Sequence, residues 1–249
     1  MRIALFAWGP VGASVAELLS QRGAAPALLV TDEADADSAR IQGSFGHQTE
    51  MLPWGGDTES RDVAECLRAL EIDLGLLAWW PRIIKPDVVE AARLGLMNLH
   101  PSLLPHCRGK DPNFWAIVEG APFGVTLHFV DTGIDTGPVA FQTELPVTWE
   151  DNGESLYRRA QEAAVTLVET NLDRILAGDF RQRPQDLAEG SFHTRSQLDS
   201  ASRLSLDEPT TARHVLDILR ARTFAGHPAV RFEDEGAEYE ARIEIRRLR

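Results

Sequence analysis

The chain has 249 residues, a formal net charge of −13 and 43% hydrophobic residues, which fits one large globular domain or a main domain with a small appendage. An acidic surface repels phosphate groups, so we predict no nucleic-acid partner, and no apolar run approaches the roughly 20 residues that cross a bilayer. With Cys66 and Cys107 as its only cysteines, the chain has no disulfide framework, and we expect a cytoplasmic protein without a membrane partner.

The first hundred residues alternate continuous apolar runs with stretches of helical spacing. The apolar runs predict buried strands and the spaced stretches predict helices, with strands at 2–8, 25–31, 72–79 and 95–99 and helices at 11–21, 60–70 and 86–93. Alternation of this kind is typical of a mostly parallel sheet with right-handed crossovers. We therefore predict an α/β fold built on a Rossmann-like sheet.

The pattern changes after residue 110. A short helix at 113–119 precedes two strands, 124–130 and 138–145, whose Gly- and Asp-rich connection predicts antiparallel strands at the sheet edge. A long amphipathic helix follows at 152–177, and a polar stretch after it sets a boundary between a main domain, 1–180, and a C-terminal region, 181–249. For that region we predict a helix at 210–222 and a β-hairpin with strands 229–232 and 239–245.

The most informative segment is Asn98-Leu99-His100-Pro101-Ser102-Leu103-Leu104-Pro105. Asn98 and His100 are two residues apart on a predicted strand, so their side chains share one face. They lie at the carboxyl end of the strand, where open α/β sheets bind ligands. An amide can donate to a developing oxyanion and an imidazole can accept a proton, which favours acyl transfer. The alternative is that His100 only caps the strand end.

Asp135 is the third candidate, in the glycine-flanked loop between the two edge strands. A carboxylate beside His100 would stabilise its protonated ring. The alternative is an ordinary turn aspartate, which is also the interpretation we prefer for Asp131. His128, in the preceding strand, is interpreted as a packed or partly exposed sheet residue. Since the histidines and cysteines do not show the spacing of a zinc site, no metal is predicted.

Two linked motifs carry a family resemblance. The segment that begins with Asn98 and His100 continues to Arg108-Gly109, and Gly133-Ile134-Asp135-Thr136-Gly137 follows. Over roughly residues 1–175 the chain resembles the formyltransferases that use N10-formyltetrahydrofolate. The resemblance implies that Asn98, His100 and Asp135 are catalytic. It also implies a folate site formed by Trp80, Arg82, Ile84, Leu104 and Gly133.

Residues 78–84 and 219–228 resemble the sugar N-formyltransferases within that family. This implies that the acceptor is the amino group of a nucleotide-linked amino sugar, with a dTDP-linked amino dideoxysugar favoured, in O-antigen or other glycan biosynthesis. Arg108 and Lys110 suit a diphosphate, and Trp79 offers a flat surface for a ring. The alternative is that Trp80 is a core residue and Arg108 a structural ion-pair partner.

Three other functions remain open from the sequence. They are formyl transfer to a different small amine, hydrolysis of formyltetrahydrofolate, and nucleotide binding without catalysis. The family's tRNA-directed enzymes carry a longer, basic C-terminal domain, which this acidic chain lacks. The predicted C-terminal hairpin offers an edge for pairing in a homodimer.

Overall fold

The computed structural model describes residues 1–55 and 59–248. In chain order, its strands are β1 (Ile3–Ala7), β2 (Leu28–Asp32), β3 (Glu50–Trp54), β4 (Leu74–Ala78), β5 (Leu96–His100), β6 (Arg108–Gly109), β7 (Phe123–Phe129), β8 (Val139–Leu145), β9 (Phe192–His193), β10 (Val230–Asp234) and β11 (Ala237–Ala241). Its helices are α1 (Gly9–Gln21), α2 (Ser38–Gly43), α3 (Ser60–Ala69), α4 (Pro86–Val89), α5 (Pro112–Glu119), α6 (Gly153–Ala177), α7 (Arg195–Ala201) and α8 (Ala212–Ala221).

Seven strands form the main sheet, in the order β3-β2-β1-β4-β5-β7-β8. The five strands from β3 to β5 are parallel to one another, and β7 runs antiparallel to β5. The order of the parallel strands is that of a Rossmann-like sheet, with a reversal beside β1. The prediction of a mostly parallel sheet with an antiparallel edge is confirmed.

Strands β1, β2 and β4 are buried along their whole length, as expected when helices cover both faces of a parallel sheet. The turn after β1 leads directly into α1, which has Pro10 in its first turn. A side chain at Gly12 would lie 2.9 Å from the Ala7 carbonyl carbon, so only glycine allows this close approach of helix to strand.

Two elements between residues 33 and 55 were not predicted, α2 and β3. Strand β3 is an edge strand in which three of five residues are exposed, so it has no continuous apolar run. It also contains Pro53, which an edge strand tolerates because one side of its backbone needs no partner. The structure further shortens the predicted helix at 86–93 to Pro86–Val89.

The C-terminal hairpin is tighter than predicted. Glu235 and Gly236 both have positive φ, 48° and 78°, and β10 and β11 pair directly on either side of them. A two-residue turn of this kind matches the twist of paired antiparallel strands. Phe232 and Tyr239 stack across the pair, with ring centroids 5.3 Å apart.

The chain forms two compact units. The first comprises Met1–His100, Thr126–Gln142 and Glu162–Gln185, and the second comprises Pro101–Val125, Thr143–Gln161 and Asp186–Arg249. The predicted division at residue 180 concerns separate folding domains and stays a prediction. Within residues 1–55 and 59–248, no helix has both the length and the apolar character that crossing a membrane requires.

Candidate active site

The register of β5 and β7 brings four polar side chains to one face of the sheet. Asn98 is opposite His128, and His100 is opposite Thr126. Because alternate residues of a strand share a face, and opposite residues of an antiparallel pair do too, all four side chains point to the same side. The residues between them, including Leu99 and Leu127, are buried apolar residues that fix this orientation.

Asp135 completes the cluster from the loop between β7 and β8. Its Oδ2 lies 3.5 Å from His100 Nδ1, and its Oδ1 lies 3.5 Å from His128 Nε2. One carboxylate therefore faces two imidazole rings, and all three side chains are at least 88% buried. The contact with His100 is at the long limit of a hydrogen bond, which is common in catalytic groups before a substrate is bound.

The backbone of Asp135 is held in a left-handed conformation, with φ 54°. A residue other than glycine takes up this conformation at a cost of order 1–3 kcal/mol, and such residues cluster at functional sites. Here the conformation turns the carboxylate towards His100 and His128. The loop that carries Asp135 must therefore be well supported.

That support comes from two side chains of the same unit. Gln185 Nε2 donates to the carbonyl oxygens of Asp135, at 3.0 Å, and Gly137, at 2.6 Å. Asp131 Oδ1 accepts from the backbone N–H of Gly133, at 3.0 Å, and from the hydroxyl of Thr136, at 2.6 Å. Asp131 is thus the structural turn residue that the sequence indicated.

His128 is a packed sheet residue, as predicted, and it also belongs to the polar cluster, which was not predicted. Its Nδ1 lies 2.8 Å from the carbonyl oxygen of Phe129, and since a carbonyl only accepts, Nδ1 carries the proton. In the neutral ring, Nε2 therefore accepts from Asn98 Nδ2, 3.3 Å away. This contact leaves the second N–H of the Asn98 amide to donate elsewhere. The signal for His128 was its place opposite Asn98, which requires the strand register.

The predicted folate residues of the first unit lie around an aromatic cluster. Trp80 is buried, with its ring centroid 5.6 Å from those of both Phe6 and Trp54. Its Nε1 is buried and has no hydrogen-bond partner among residues 1–55 and 59–248. Ile84 packs partly buried against this cluster. Trp80 is therefore a core residue that also presents an unused donor.

Arg82, another predicted folate residue, forms an ion pair. Its Nε donates to Asp32 Oδ2 at 2.7 Å. Burial by itself raises the pKa of the Asp32 carboxyl, but the hydrogen bonds from Arg82 and from the Ala34 backbone lower it by more. The pKa therefore lies below its ordinary value. Gly133 lies in the loop supported by Asp131.

The remaining predicted residues are distributed between the two units. Trp79 belongs to the first unit and has a positive φ of 61°. Leu104, Arg108 and Lys110 belong to the second unit. Leu104 is buried, Lys110 is exposed, and Arg108 Nε is buried without a hydrogen-bond partner in the described part of the chain. No ion pair of Arg108 occurs within residues 1–55 and 59–248.

Chemically, the cluster combines an amide donor with two imidazole rings and one carboxylate. Such a set can stabilise negative charge on an oxygen and accept a proton from an attacking amine. Cys107 is not a nucleophile, because burial and the nearby Glu119 carboxylate raise the pKa of its thiol to about 12. Within residues 1–55 and 59–248, no three acidic, histidine or cysteine side chains are grouped as metal ligands.

Comparison with solved structures shows the fold. A sugar N-formyltransferase from Shewanella superposes with a TM-score of 0.81 at 20% identity, covering 100% of this chain and 99% of that one. The N-formyltransferase from Helicobacter canadensis, in complex with folinic acid and dTDP-3-aminofucose, superposes with a TM-score of 0.75 at 18% identity. That match covers 95% of this chain and 85% of the other.

Sequence comparison shows the family. A methionyl-tRNA formyltransferase from Koribacter versatilis is 35% identical over 158 residues, which are 63% of this chain and 50% of that protein. The chain spans about two-fifths to half of the length of the first curated relatives that it matches. Residues 197–247 match the N-formyltransferase dimerization C-terminal domain, and residues 2–172 match the formyl transferase domain. The chain therefore belongs to the formyl transferase family, which confirms the family predicted from its two motifs.

Proposed function

We propose that this chain transfers a formyl group from N10-formyltetrahydrofolate to the amino group of a nucleotide-linked amino sugar. The observation that carries the chemistry is the cluster in which the Asp135 carboxylate faces both His100 and His128 while His128 contacts Asn98. A chain that only bound nucleotides would have no need for this buried polar set at the end of β5. The catalytic roles of Asn98, His100 and Asp135 are part of the proposal.

The residues of the first unit fit a bound folate. Trp80 Nε1 is a buried donor without a partner in the described part of the chain, and a heterocycle with ring nitrogens and a carbonyl would satisfy it. Ile84 adds an apolar surface beside it, and Arg82 adds a cation with 41% of its side chain exposed. Arg82 and Trp80, together with Ile84 and Gly133, would therefore hold the folate. Leu104 is also proposed as a folate residue.

In the proposed mechanism, each polar side chain has one task. The bound folate supplies an activated formyl group. The free N–H of the Asn98 amide donates to the formyl oxygen as that oxygen gains negative charge. His100 accepts the proton that the attacking amine loses, and Asp135 stabilises the protonated ring. When the bond between the formyl carbon and N10 breaks, tetrahydrofolate leaves and N10 receives this proton from His100. His128 holds Asn98 in place through its Nε2 contact.

Two observations support a nucleotide-linked sugar as the acceptor. They are the extent of the structural matches and the positive charge of Arg108. Two sugar-directed or sugar-bound N-formyltransferases match at least 95% of this chain and at least 85% of their own length. Arg108 supplies a buried guanidinium N–H without a partner among the described residues, which suits a diphosphate. Lys110 and Trp79 are proposed to help bind the nucleotide and sugar.

A tRNA acceptor is the second candidate, because the sequence relatives are methionyl-tRNA formyltransferases. A net charge of −13 disfavours it, since binding tRNA requires cations that offset phosphate charge. The sugar proposal includes a cytoplasmic location, a place in glycan or O-antigen assembly, and a homodimer. The match of residues 197–247 to a dimerization domain and the exposed Tyr239 on the hairpin support the homodimer.

A panel assay tests the proposal. N10-formyltetrahydrofolate is supplied with dTDP-, UDP- and GDP-linked 3-amino and 4-amino sugars and, separately, with methionyl-tRNA. We expect tetrahydrofolate release and a mass gain of one formyl group on a nucleotide sugar. Formylation of methionyl-tRNA alone would favour the second candidate. Tetrahydrofolate release without any acceptor would indicate a hydrolase, and no release in any mixture would contradict formyl transfer.

A further inference from the structure

The second unit contains a clamp between two distant segments, residues 105–109 and residues 190–193. Strands β6 and β9 pair in parallel, with Arg108 opposite Phe192, and the Arg108 N–H donates to Ser191 O at 3.0 Å. The segments approach so closely that a side chain at Gly109 would lie 2.2 Å from His193 O. A side chain at Gly190 would lie 1.9 Å from Pro105 O. Arg108 is therefore carried on a backbone with little freedom to move.

Side chains reinforce this clamp around one carboxylate, Glu119 at the end of α5. Its Oε2 accepts from Ser191 Oγ at 2.7 Å, and its Oε1 lies 2.6 Å from His193 Nε2. Cys107 Sγ is a third donor, 3.8 Å from Oε2. The ring of His193 is stacked on Trp115, with centroids 3.7 Å apart and planes within 7°. Glu119 thus ties β9 to the residue that precedes Arg108.

The arrangement of the contacts around Glu119 indicates a role other than packing. The contacts come from Cys107, which precedes Arg108, and from Ser191 and His193, which flank the residue opposite Arg108. Arg108 Nε itself is buried and has no partner among residues 1–55 and 59–248. A buried guanidinium donor is costly to leave without an acceptor. A bound anion would satisfy it, and the fixed backbone would hold the guanidinium in position before the anion arrives.

We infer that Glu119, with Ser191 and His193, positions Arg108 to bind the diphosphate of the nucleotide-linked substrate. This inference rests on the proposed function, because it takes the acceptor to carry a nucleoside diphosphate. Glu119 does not touch the substrate. It acts through Arg108, so it is a positioning residue whose loss weakens binding of the diphosphate and leaves the formyl-transfer chemistry at Asn98 and His100 unchanged.

The experiment measures binding of dTDP, UDP and GDP by calorimetry, alongside kinetics with the accepted sugar. Arg108→Ala is expected to weaken nucleotide binding roughly 10- to 100-fold, since it removes charged hydrogen bonds. Glu119→Gln is expected to weaken it about five- to tenfold, and to add little in the Arg108→Ala background, because the two residues act on the same contact. KM for the nucleotide sugar rises, whereas kcat and KM for the folate do not change.

The control is Glu189→Gln, the same chemical change on an exposed carboxylate of the neighbouring turn, which should bind as the wild type does. Ser191→Ala, which keeps the carboxylate, is the second variant, and thermal unfolding checks that each protein is folded. If the wild type binds none of the three nucleotides, the proposed acceptor and this inference both fail. If the wild type binds a nucleotide and the Glu119→Gln and Ser191→Ala variants bind it as tightly as the wild type does, only the inference fails. The inference alone also fails if Glu119→Gln weakens binding in the Arg108→Ala background by as much as it does in the wild type.

Discussion

The side-chain amide of Asn98 lies 3.3 Å from Nε2 of His128, directly across a pair of antiparallel strands. Because Nδ1 of His128 is committed to the carbonyl of Phe129, its ring orientation is fixed, and the ring in turn fixes the amide. The donor that would stabilise a developing oxyanion is therefore oriented before any substrate binds. Electrostatic stabilisation of this kind is effective because the donor does not have to reorganise during the reaction.

Replacement of His128 tests this orientation. We expect His128→Leu to lower kcat by up to about 100-fold, since small displacements of a catalytic group have effects of that size, while KM for the folate stays within about threefold. Steady-state kinetics with both substrates varied provides the measurement. His47→Leu, on an exposed turn, is the control and should behave as the wild type. A His128→Leu enzyme with wild-type kcat would show that the contact with Asn98 has no catalytic consequence.

Removal of the proposed proton acceptor has a larger effect on the chemical step. His100→Ala is expected to lower kcat about 10²- to 10⁴-fold, the usual contribution of a general base. Binding of 5-formyltetrahydrofolate, followed by calorimetry, should change by less than about threefold, because we place the folate on other residues. His47→Ala serves as the matched control. An unchanged kcat in His100→Ala would remove His100 from the mechanism.

Gln185 supports the Asp135 loop without belonging to the cluster. Gln185→Leu removes the hydrogen bonds to the carbonyls of Asp135 and Gly137, each with a net contribution of about 0.5–1.5 kcal/mol. We expect kcat to fall roughly tenfold as the carboxylate loses its fixed position. The neighbouring exposed Gln182→Leu should leave kcat as it is. Equal kinetics in the two variants would contradict the support that we ascribe to Gln185.

The stability of the second unit should depend on pH through Asp151. Burial by itself raises the pKa of this carboxyl, but hydrogen bonds from Thr148 and Arg159 lower it by more, so the pKa in the folded protein lies below its ordinary value. Since the unfolded value is about 3.9, the stabilisation is fully present above that pH. It is lost as the pH falls through the lower, folded value.

Asp151→Ala should therefore reduce the free energy of unfolding by about 2 kcal/mol at pH 7, because it removes the hydrogen bonds that the Asp151 carboxylate accepts from Thr148 and Arg159. At pH 2 to 3 the difference from the wild type should shrink. Urea denaturation at both pH values measures this, with the exposed Asp207→Asn as control. A destabilisation of the same size at both pH values would mean that the charge of Asp151 does not matter.

The thiol of Cys107 should be unreactive in the folded protein. A pKa of about 12 leaves about one thiol in 10⁴ ionised at pH 8, and only the thiolate reacts with alkylating agents. We expect iodoacetamide to label Cys66, which is partly exposed, faster than Cys107, and to label both at similar rates in urea. Mass spectrometry of the peptides measures the two rates. Rapid native labelling of Cys107 would show that its segment opens.

The parts of the site that lie close together in sequence were predictable from it. Asn98 and His100 are two residues apart, so a strand is enough to place them on one face. Asp135 could be identified as a candidate from its glycine-flanked loop, but its approach to His100 depends on a left-handed backbone that residue type does not reveal. For His128, the apolar neighbours in β7 favoured a packing role, and only the register with β5 shows its contact with Asn98.

The polar contacts around Glu119 were beyond prediction for a related reason. Ser191 and His193 lie more than 70 residues from Glu119 along the chain, and the two-residue strands β6 and β9 are too short to show any periodicity. Similarly, an exposed edge strand such as β3 carries too few apolar residues to be recognised. What the sequence specified best was the buried parallel sheet, because its strands are continuous apolar runs.

The first unit is assembled from three separate stretches of chain, and the last residue of the third stretch is Gln185. On the ribosome, Asp135 is therefore made 50 residues before the side chain that holds its loop. At about 5–20 residues per second, that interval lasts roughly 3 to 10 seconds. A nascent chain arrested within it would already contain both motifs of the family, yet its active-site loop would still lack the hydrogen bonds that give it one conformation.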